Sequence, residues 1–341
     1  MTYKKFKAVA FGLCIAAGAY NSAAAAGSGE TLAAVKERGT LRCGVIGHSA
    51  GFSLPDSKGI MRGIDADVCR IVAAAVLGDS TKVEYISLTA AQRLPALQSG
   101  EADLVAANLT WTLSREAVSG VSFAAIEYYD GVGFMVPKKL GVKSATELDG
   151  ASVCMIAGNA EGTAHDFFNR YSMKYNAVVF GDGQELRSAF LNERCDVYMT
   201  DMSALVSFRA SLGDKAADFD LLPELASKEP LGMAVLKGDG KWFDVVRWGF
   251  YSTVEAEELD VDSTNVDEML KSDSPRVKRL LGVSGDLGQA LGLDNAWAYN
   301  IIKQVGNYKE IWERSFGVTG VPRAYNKLWF NGGLMYAPAM R

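Results

Sequence analysis

The apolar positions of this chain fall into short runs that alternate with stretches of helical spacing. Thr40–Ile46 reads as a strand. Asp65–Leu77 then sets Val68, Ile71, Val72, Ala75 and Val76 at the spacing of one helix face. Val83–Ile86, Asp103–Ala106 and Gly131–Val136 read as further strands, and Ala90–Ser99 as a short helix broken by Pro95. The theme recurs. Ser152–Ala157, Ala177–Phe180, Asp196–Thr200 and Leu231–Leu236 read as strands, with Gln184–Leu191 and Met202–Ser211 helical among them. Two unequal series of strands and helices predict an α/β fold.

After Lys241 the pattern is mostly helical. Phe243, Val246, Phe250 and Val254 form one face of Lys241–Leu259. Thr264 with Asp267 has capping-box spacing, and Ser274-Pro275 marks another helix start. The last segment, Tyr325–Arg341, carries Trp329, Phe330, Met335 and Tyr336. It is too apolar for a loose tail and is expected to pack on the body of the protein.

The first residues do not read as part of the fold. Lys4, Lys5 and Lys7 precede an apolar stretch from Ala8 to Ala19, and Ser22-Ala23-Ala24-Ala25-Ala26 offers small residues for cleavage. That stretch is shorter than the ~20 residues of a membrane span, so residues 1–26 are expected to be a signal peptide cleaved near Ala26. Cys14 follows Leu13, which is not the small residue a lipid-attachment box wants. The protein is therefore expected to be exported and periplasmic. The formal charge is −5, and loss of three leader lysines makes it more negative, so no nucleic-acid partner is expected. The remaining length, about 315 residues, suggests two lobes.

Four cysteines remain after the leader: Cys43, Cys69, Cys154 and Cys195. An even count in an exported chain reads as two disulfides. Three pairings are open. Cys43–Cys69 and Cys154–Cys195 are favoured, because each pair then lies within one half of the chain and leaves the halves free to move. The spacings fit no zinc pattern and the histidines are His48 and His165 alone, so no metal is expected. No phosphate-cradling loop or dinucleotide fingerprint occurs, so no cofactor is expected.

Several longer runs carry a resemblance. They are Gly51-Phe52-Ser53-Leu54-Pro55-Asp56, Gly63-Ile64-Asp65-Ala66-Asp67-Val68-Cys69, and Pro95-Ala96-Leu97-Gln98-Ser99-Gly100-Glu101-Ala102-Asp103. Asn108-Leu109-Thr110-Trp111-Thr112-Leu113-Ser114-Arg115-Glu116 and the closing Leu328-Trp329-Phe330-Asn331-Gly332-Gly333-Leu334-Met335-Tyr336 join them. As a set, from about Gly39 to the C-terminus, they resemble the periplasmic amino-acid-binding proteins of ABC importers, solute-binding family 3, in the general L-amino-acid branch. The resemblance implies a two-lobed type II periplasmic-binding fold with a hinge of two strands and a helical C-terminal extension. Residues 27–136 and 232–341 would form lobe 1, and residues 137–231 lobe 2. The implied partners are an L-amino acid, captured in the interlobe cleft, and the inner-membrane permease subunits. A monomer is expected.

The chemistry of a zwitterion says what the cleft needs. A carboxylate wants a planar guanidinium and backbone N–H groups at a helix start. Arg115 matches the family's carboxylate-binding arginine; read by itself it is a solvated arginine near a helix start. Thr110 matches a neighbouring donor, and Asn108 a lobe-1 contact. The ammonium wants a desolvated carboxylate. Asp201, after the strand Asp196–Thr200, matches the family's ammonium-binding aspartate and also reads as an N-cap.

Three positions depart from the family pattern. Ala107 stands where a basic residue is usual. Gly158-Asn159-Ala160-Glu161 replaces a Gly-Thr-Thr type loop, so Asn159 and the Ala160 N–H are the expected donors. Ser49-Ala50 replaces an aromatic platform, for which Phe52 is a substitute or simply a core residue. Loss of charge at Ala107 is expected to disfavour acidic side chains, and Glu161 near the mouth to favour basic ones. The fold also carries cyclohexadienyl dehydratases, with Glu127 and Glu161 the carboxylates to suspect here; a ligand-presenting sensor is the other competing reading. No Ser/His/Asp or Cys/His arrangement supports catalysis, so a non-enzyme is expected.

Overall fold

The computed structural model describes Met1, residues 29–317 and residues 321–341, with Asn159 described by its backbone alone. The expected leader and its cleavage point lie outside the described residues. The strands in chain order are β1 (Leu41–Val45), β2 (Leu54–Pro55), β3 (Met61–Arg62), β4 (Val83–Ser87), β5 (Leu104–Val105), β6 (Val121–Asp130), β7 (Val132–Pro137), β8 (Ser152–Ile156), β9 (Asn176–Phe180), β10 (Val197–Asp201), β11 (Phe219–Leu221) and β12 (Glu229–Leu236). They form two five-stranded sheets, ordered β4-β1-β5-β12-β6 and β11-β7-β10-β8-β9, and a β2-β3 hairpin. Each sheet has a parallel part, β1 with β4 and β5, and β8 with β9 and β10, flanked by antiparallel strands. Each has its own core, and this is the two-lobed α/β architecture.

The chain leaves the first sheet at Asp130 and enters the second at Val132, so Gly131 alone makes the crossing. A Cβ at Gly131 would lie 2.8 Å from the Leu225 side chain and from the Ser227 carbonyl, on the returning segment. The expected boundary at 136/137 thus falls inside β7, a second-sheet strand, and the one at 231/232 falls inside β12, a first-sheet strand. We place the lobe boundaries at the sheet change, near 131 and in the 222–228 segment.

The helix Ile64–Leu77 shows why the first lobe closes as it does. It starts at Gly63, where φ is +113° and a Cβ would meet the Phe52 carbonyl at 2.3 Å, so only glycine fits. Val68, Ile71 and Val72 are almost fully buried, against the helices Gly240–Glu258 and Trp297–Val305. Each such side chain contributes roughly 1.5–3 kcal/mol. The disulfides are Cys43–Cys69, tying this helix to β1, and Cys154–Cys195, tying β8 to the residues before β10. Both lie within a lobe, as the sequence favours.

Two local readings change. Thr264 and Asp267 form no capping box. The Thr264 hydroxyl and N–H turn back to Asp262, while Asp267 takes Tyr299 and Lys303. Ser274 does cap its helix, its hydroxyl accepting from the Val277 N–H. In the last segment Leu328, Met335 and Ala337 are buried in the lobe-1 core, whereas Trp329, Phe330 and Tyr336 stay about half exposed or more.

Candidate ligand-binding cleft

Lobe 1 brings two arginines to the cleft. The loop after β5 is braced on β12: the Trp111 N–H donates to the Pro230 carbonyl and the Gly232 N–H to the Leu109 carbonyl. Asn108 takes the left-handed conformation, φ +47°, which asparagine tolerates better than most side chains. Thr112 then caps the helix Leu113–Val118, its hydroxyl accepting from the Arg115 N–H at 3.3 Å. The Arg115 guanidinium folds back and donates to the Thr110 carbonyl at 2.6 Å, which fixes its direction. Arg93, first residue of the helix Arg93–Gln98, donates to the Asn108 carbonyl at 3.2 Å. Its Nε–H is buried and has no partner among the described residues. Burial lowers the pKa of both arginines, and Asp201 opposes that in each case.

Lobe 2 brings Asp201, which ends β10 and precedes the helix Met202–Ser211. It stands at the N-cap position, yet its side chain makes no capping bond. The Asn108 side chain, from the other lobe, lies near it and favours its ionised form. Burial pushes the Asp201 carboxyl up to about 8, and Asp130 and Glu229 add to the shift. The Asn108 Oδ1 is buried with no partner among the described residues. The lobes are stitched beside this point. Asp130, at the end of β6, accepts from the Ser203 hydroxyl and, at 3.4 Å, from the Ser203 N–H.

Behind the arginines lies a fully buried acid pair. Asp65 accepts from the Asn108 N–H and from the Ser53 hydroxyl, each at 3.4 Å. Burial raises its carboxyl to about 7. Glu127 is pushed well above the carboxylate range by burial and then by Asp65.

Several expected residues are placed differently. Phe52 is 0% exposed, packed edge-on to Phe316 at 5.2 Å and beside Tyr128 at 5.5 Å. It is core and offers no face to a ligand, because its ring is enclosed between Phe316 and Tyr128. Ala107 is also fully buried, in the apolar cluster with Leu97 and Leu109. Glu161, in the first turn of the helix Asn159–Arg170, reaches back to accept from the Gly158 N–H at 2.9 Å. Its carboxylate is therefore engaged locally. Ala160 follows in the first turn of that helix, where N–H groups have no intrahelical acceptor. The Asn159 side chain lies outside the described residues. Arg93 is the residue that sequence reading missed. Its signal was a cation in the first turn of a helix, where the helix dipole disfavours one.

The chain matches the bacterial extracellular solute-binding proteins, family 3, over residues 41–261. It is 48% identical over 321 residues to the putative amino-acid ABC transporter-binding protein YhdW of Escherichia coli (strain K12), covering 93% of this chain and 94% of that one. It is 47% identical over 324 residues to the general L-amino acid-binding periplasmic protein AapJ of Rhizobium johnstonii, covering 93% and 95%. The solved structure of an ABC transporter periplasmic binding protein from Brucella ovis with glutathione bound superposes with a TM-score of 0.88 at 46% identity, covering 91% of this chain and 99% of that one. With cations on one lobe facing a carboxylate on the other across a single-glycine crossing, and matches over nearly its whole length, this chain belongs to the bacterial extracellular solute-binding proteins, family 3.

Proposed function

We propose that the cleft captures the zwitterionic head of an L-amino acid and presents it to the inner-membrane permease of an ABC importer. The observation that carries this reading is a set of groups left incomplete on facing lobes. Among the described residues, Arg93 Nε–H lacks an acceptor, Asn108 Oδ1 lacks a donor, and the partly buried Asp201 carboxyl forms no ion pair. A ligand ammonium completes Asp201 and Asn108 Oδ1, and an acceptor on the ligand side chain completes Arg93. Arg115 takes the carboxylate with parallel hydrogen bonds, assisted by the Thr110 hydroxyl, the Ala160 N–H and Asn159. Asp201 and Asn108 Oδ1 take the ammonium. Arg93 faces the ligand side chain and supplies a second cation, so acidic side chains are accepted despite Ala107. Glutathione, the ligand of the Brucella ovis structure, carries the same amino-acid head on its γ-glutamyl end. Closure is favoured because the contacts to both lobes exist only when the lobes meet.

We read the chain as a binding protein and not an enzyme. Glu127 is 0% exposed, Glu161 is occupied in capping, and His48 and His165 sit on the surface. Among the described residues no helix is long and apolar enough to cross a membrane. A thermal-shift screen against the twenty L-amino acids and glutathione tests the proposal. Several ligands should raise Tm, and Arg115→Ala should abolish the rise. No rise with any of them would reject the ligand class.

A further inference from the structure

The C-terminal extension lies beyond the matched residues 41–261, yet it grips the strand that leads into the crossing. β6 is the outer strand of the first sheet, bonded only to β12 on one side. In that pairing Tyr129 sits opposite Pro230, which has no N–H to give. The Pro230 carbonyl faces away from β6, accepting from the Trp111 N–H, so this is a non-hydrogen-bonded pair and the Tyr129 N–H and C=O point outward, on the open edge. Asn326, 2% exposed, closes that edge with its side-chain amide. Its Oδ1 accepts from the Tyr129 N–H at 2.7 Å and its Nδ2–H donates to the Tyr129 carbonyl at 3.1 Å. One amide thus does what a neighbouring strand would do.

Asn326 is itself held. Arg323 donates from Nε to the Asn326 carbonyl at 3.0 Å and pairs through both terminal nitrogens with Glu257 at 2.7 and 2.6 Å. Two residues earlier on the same strand, the Tyr308 hydroxyl donates to the Glu127 carbonyl at 2.9 Å. The next residue after Tyr129 is Asp130, which accepts from Ser203 of the other lobe, and the next is the crossing glycine. Ser203 lies two residues past Asp201.

We infer that Asn326 is a positioning residue for ligand capture: by clamping Tyr129 it holds Asp130 where Ser203 of the second lobe can dock, and so biases the lobes toward the closed arrangement. The inference rests on the closure reading above. Without the clamp, the end of β6 loses both edge bonds and gains rotational freedom beside Gly131. Asp130 then meets Ser203 in a smaller fraction of molecules. Because apparent affinity scales with the competent fraction, a drop to a tenth raises Kd about tenfold.

The test compares Asn326→Leu, which keeps the γ-branched shape and removes both bonds, with Val277→Ala, a lobe-1 core substitution on a different helix. Fluorescent labels, one in each lobe, report interlobe distance with and without glutamate, glutamine and glutathione; Kd is measured by calorimetry and Tm by scanning. Expected for Asn326→Leu are a shift of the ligand-free distances toward open and a Kd raised about five- to fiftyfold, beyond anything in Val277→Ala at matched Tm loss. Asn326→Asp, which keeps only the acceptor, should fall between. Distances and Kd that track Tm alone, equal in the two variants, would overturn the inference. If the wild type bound none of the ligands, the ligand class would fall, while the ligand-free distances would still decide the role of Asn326.

Discussion

The two lobes contribute unlike things to one cleft. Lobe 1 offers guanidinium groups on short helices, each aimed by a backbone carbonyl: Arg115 by Thr110 and Arg93 by Asn108. Lobe 2 offers a carboxyl at a strand end, Asp201, with no capping bond to occupy it. The first lobe's groups keep their charge despite burial, since an arginine stays protonated. The second lobe's group is shifted toward its neutral form, because burial, then Asp130 and Glu229, raise it to about 8. The two lobes thus differ: lobe 1 carries its charge in advance, and an arriving ammonium favours the ionised form of Asp201 on lobe 2.

The hardest blow to this picture is removal of one side. Arg115→Ala or Asp201→Ala should weaken amino-acid binding by about thirtyfold to a few thousandfold, since removing one member of a buried, hydrogen-bonded charge pair costs about 2–5 kcal/mol. Calorimetry reads this directly, and an effect under threefold from either variant would break the two-sided description. The disulfides come next. Replacing both cysteines of a pair by alanine should cost about 3.5 kcal/mol for the first lobe and about 4 kcal/mol for the second, from loops of 26 and 41 residues. Denaturant unfolding should show each loss in the transition of its own lobe.

Arg93→Gln sharpens the comparison within lobe 1. A charge-assisted bond contributes about 1.5–3 kcal/mol, so Kd for glutamate should rise roughly ten- to hundredfold. Alanine, which has no polar side chain, should lose much less. Equal losses would place Arg93 on the α-carboxylate instead. The mildest effect is pH dependence, and its sign follows from the shifts. An ammonium binds ionised Asp201, so affinity should rise from pH 6 to 8, by at most about tenfold per unit, with proton release on binding. Stability without ligand runs the other way. Asp130, Asp65 and Asp201, raised to about 6, 7 and 8 from 3.8, bind their protons more tightly folded than unfolded. The stability they confer is complete below about pH 4 and is lost as pH rises through 6 to 8. A Tm that climbs over that range without ligand would contradict the buried-acid arrangement.

Much of the fold was legible because its signals are local. The helices near Asp65–Leu77, Met202–Ser211 and Lys241–Leu259 follow from apolar spacing, and the Ser274 cap from a hydroxyl before proline. β6, by contrast, escaped notice. Eight of its ten positions from Val121 to Tyr128 include only two that are not buried, so the two-residue alternation of a half-exposed strand is absent. The helix Asn159–Arg170 carries Gly162 and Thr163 in its first turns, weak helix formers that hide its start.

At the site, the resemblance of whole sequence runs to a known family singled out Arg115, Asp201, Asn108 and Thr110, whereas Arg115 by itself reads as a solvated arginine and Asp201 as an N-cap. The cysteine count pointed to two crosslinks within lobes, which is a constraint that an exported fold must satisfy. Which way Phe52 turns, which sheet owns β7, and how Asn326 reaches Tyr129 depend on segments far apart in the chain meeting in space. So do the recruitment of Arg93 and the shift of Asp201, because low dielectric and neighbouring charge come from both lobes at once. Local pattern and chemical type were therefore determined by the sequence alone, and the partnerships that turn those residues into a cleft were decided only by the tertiary structure.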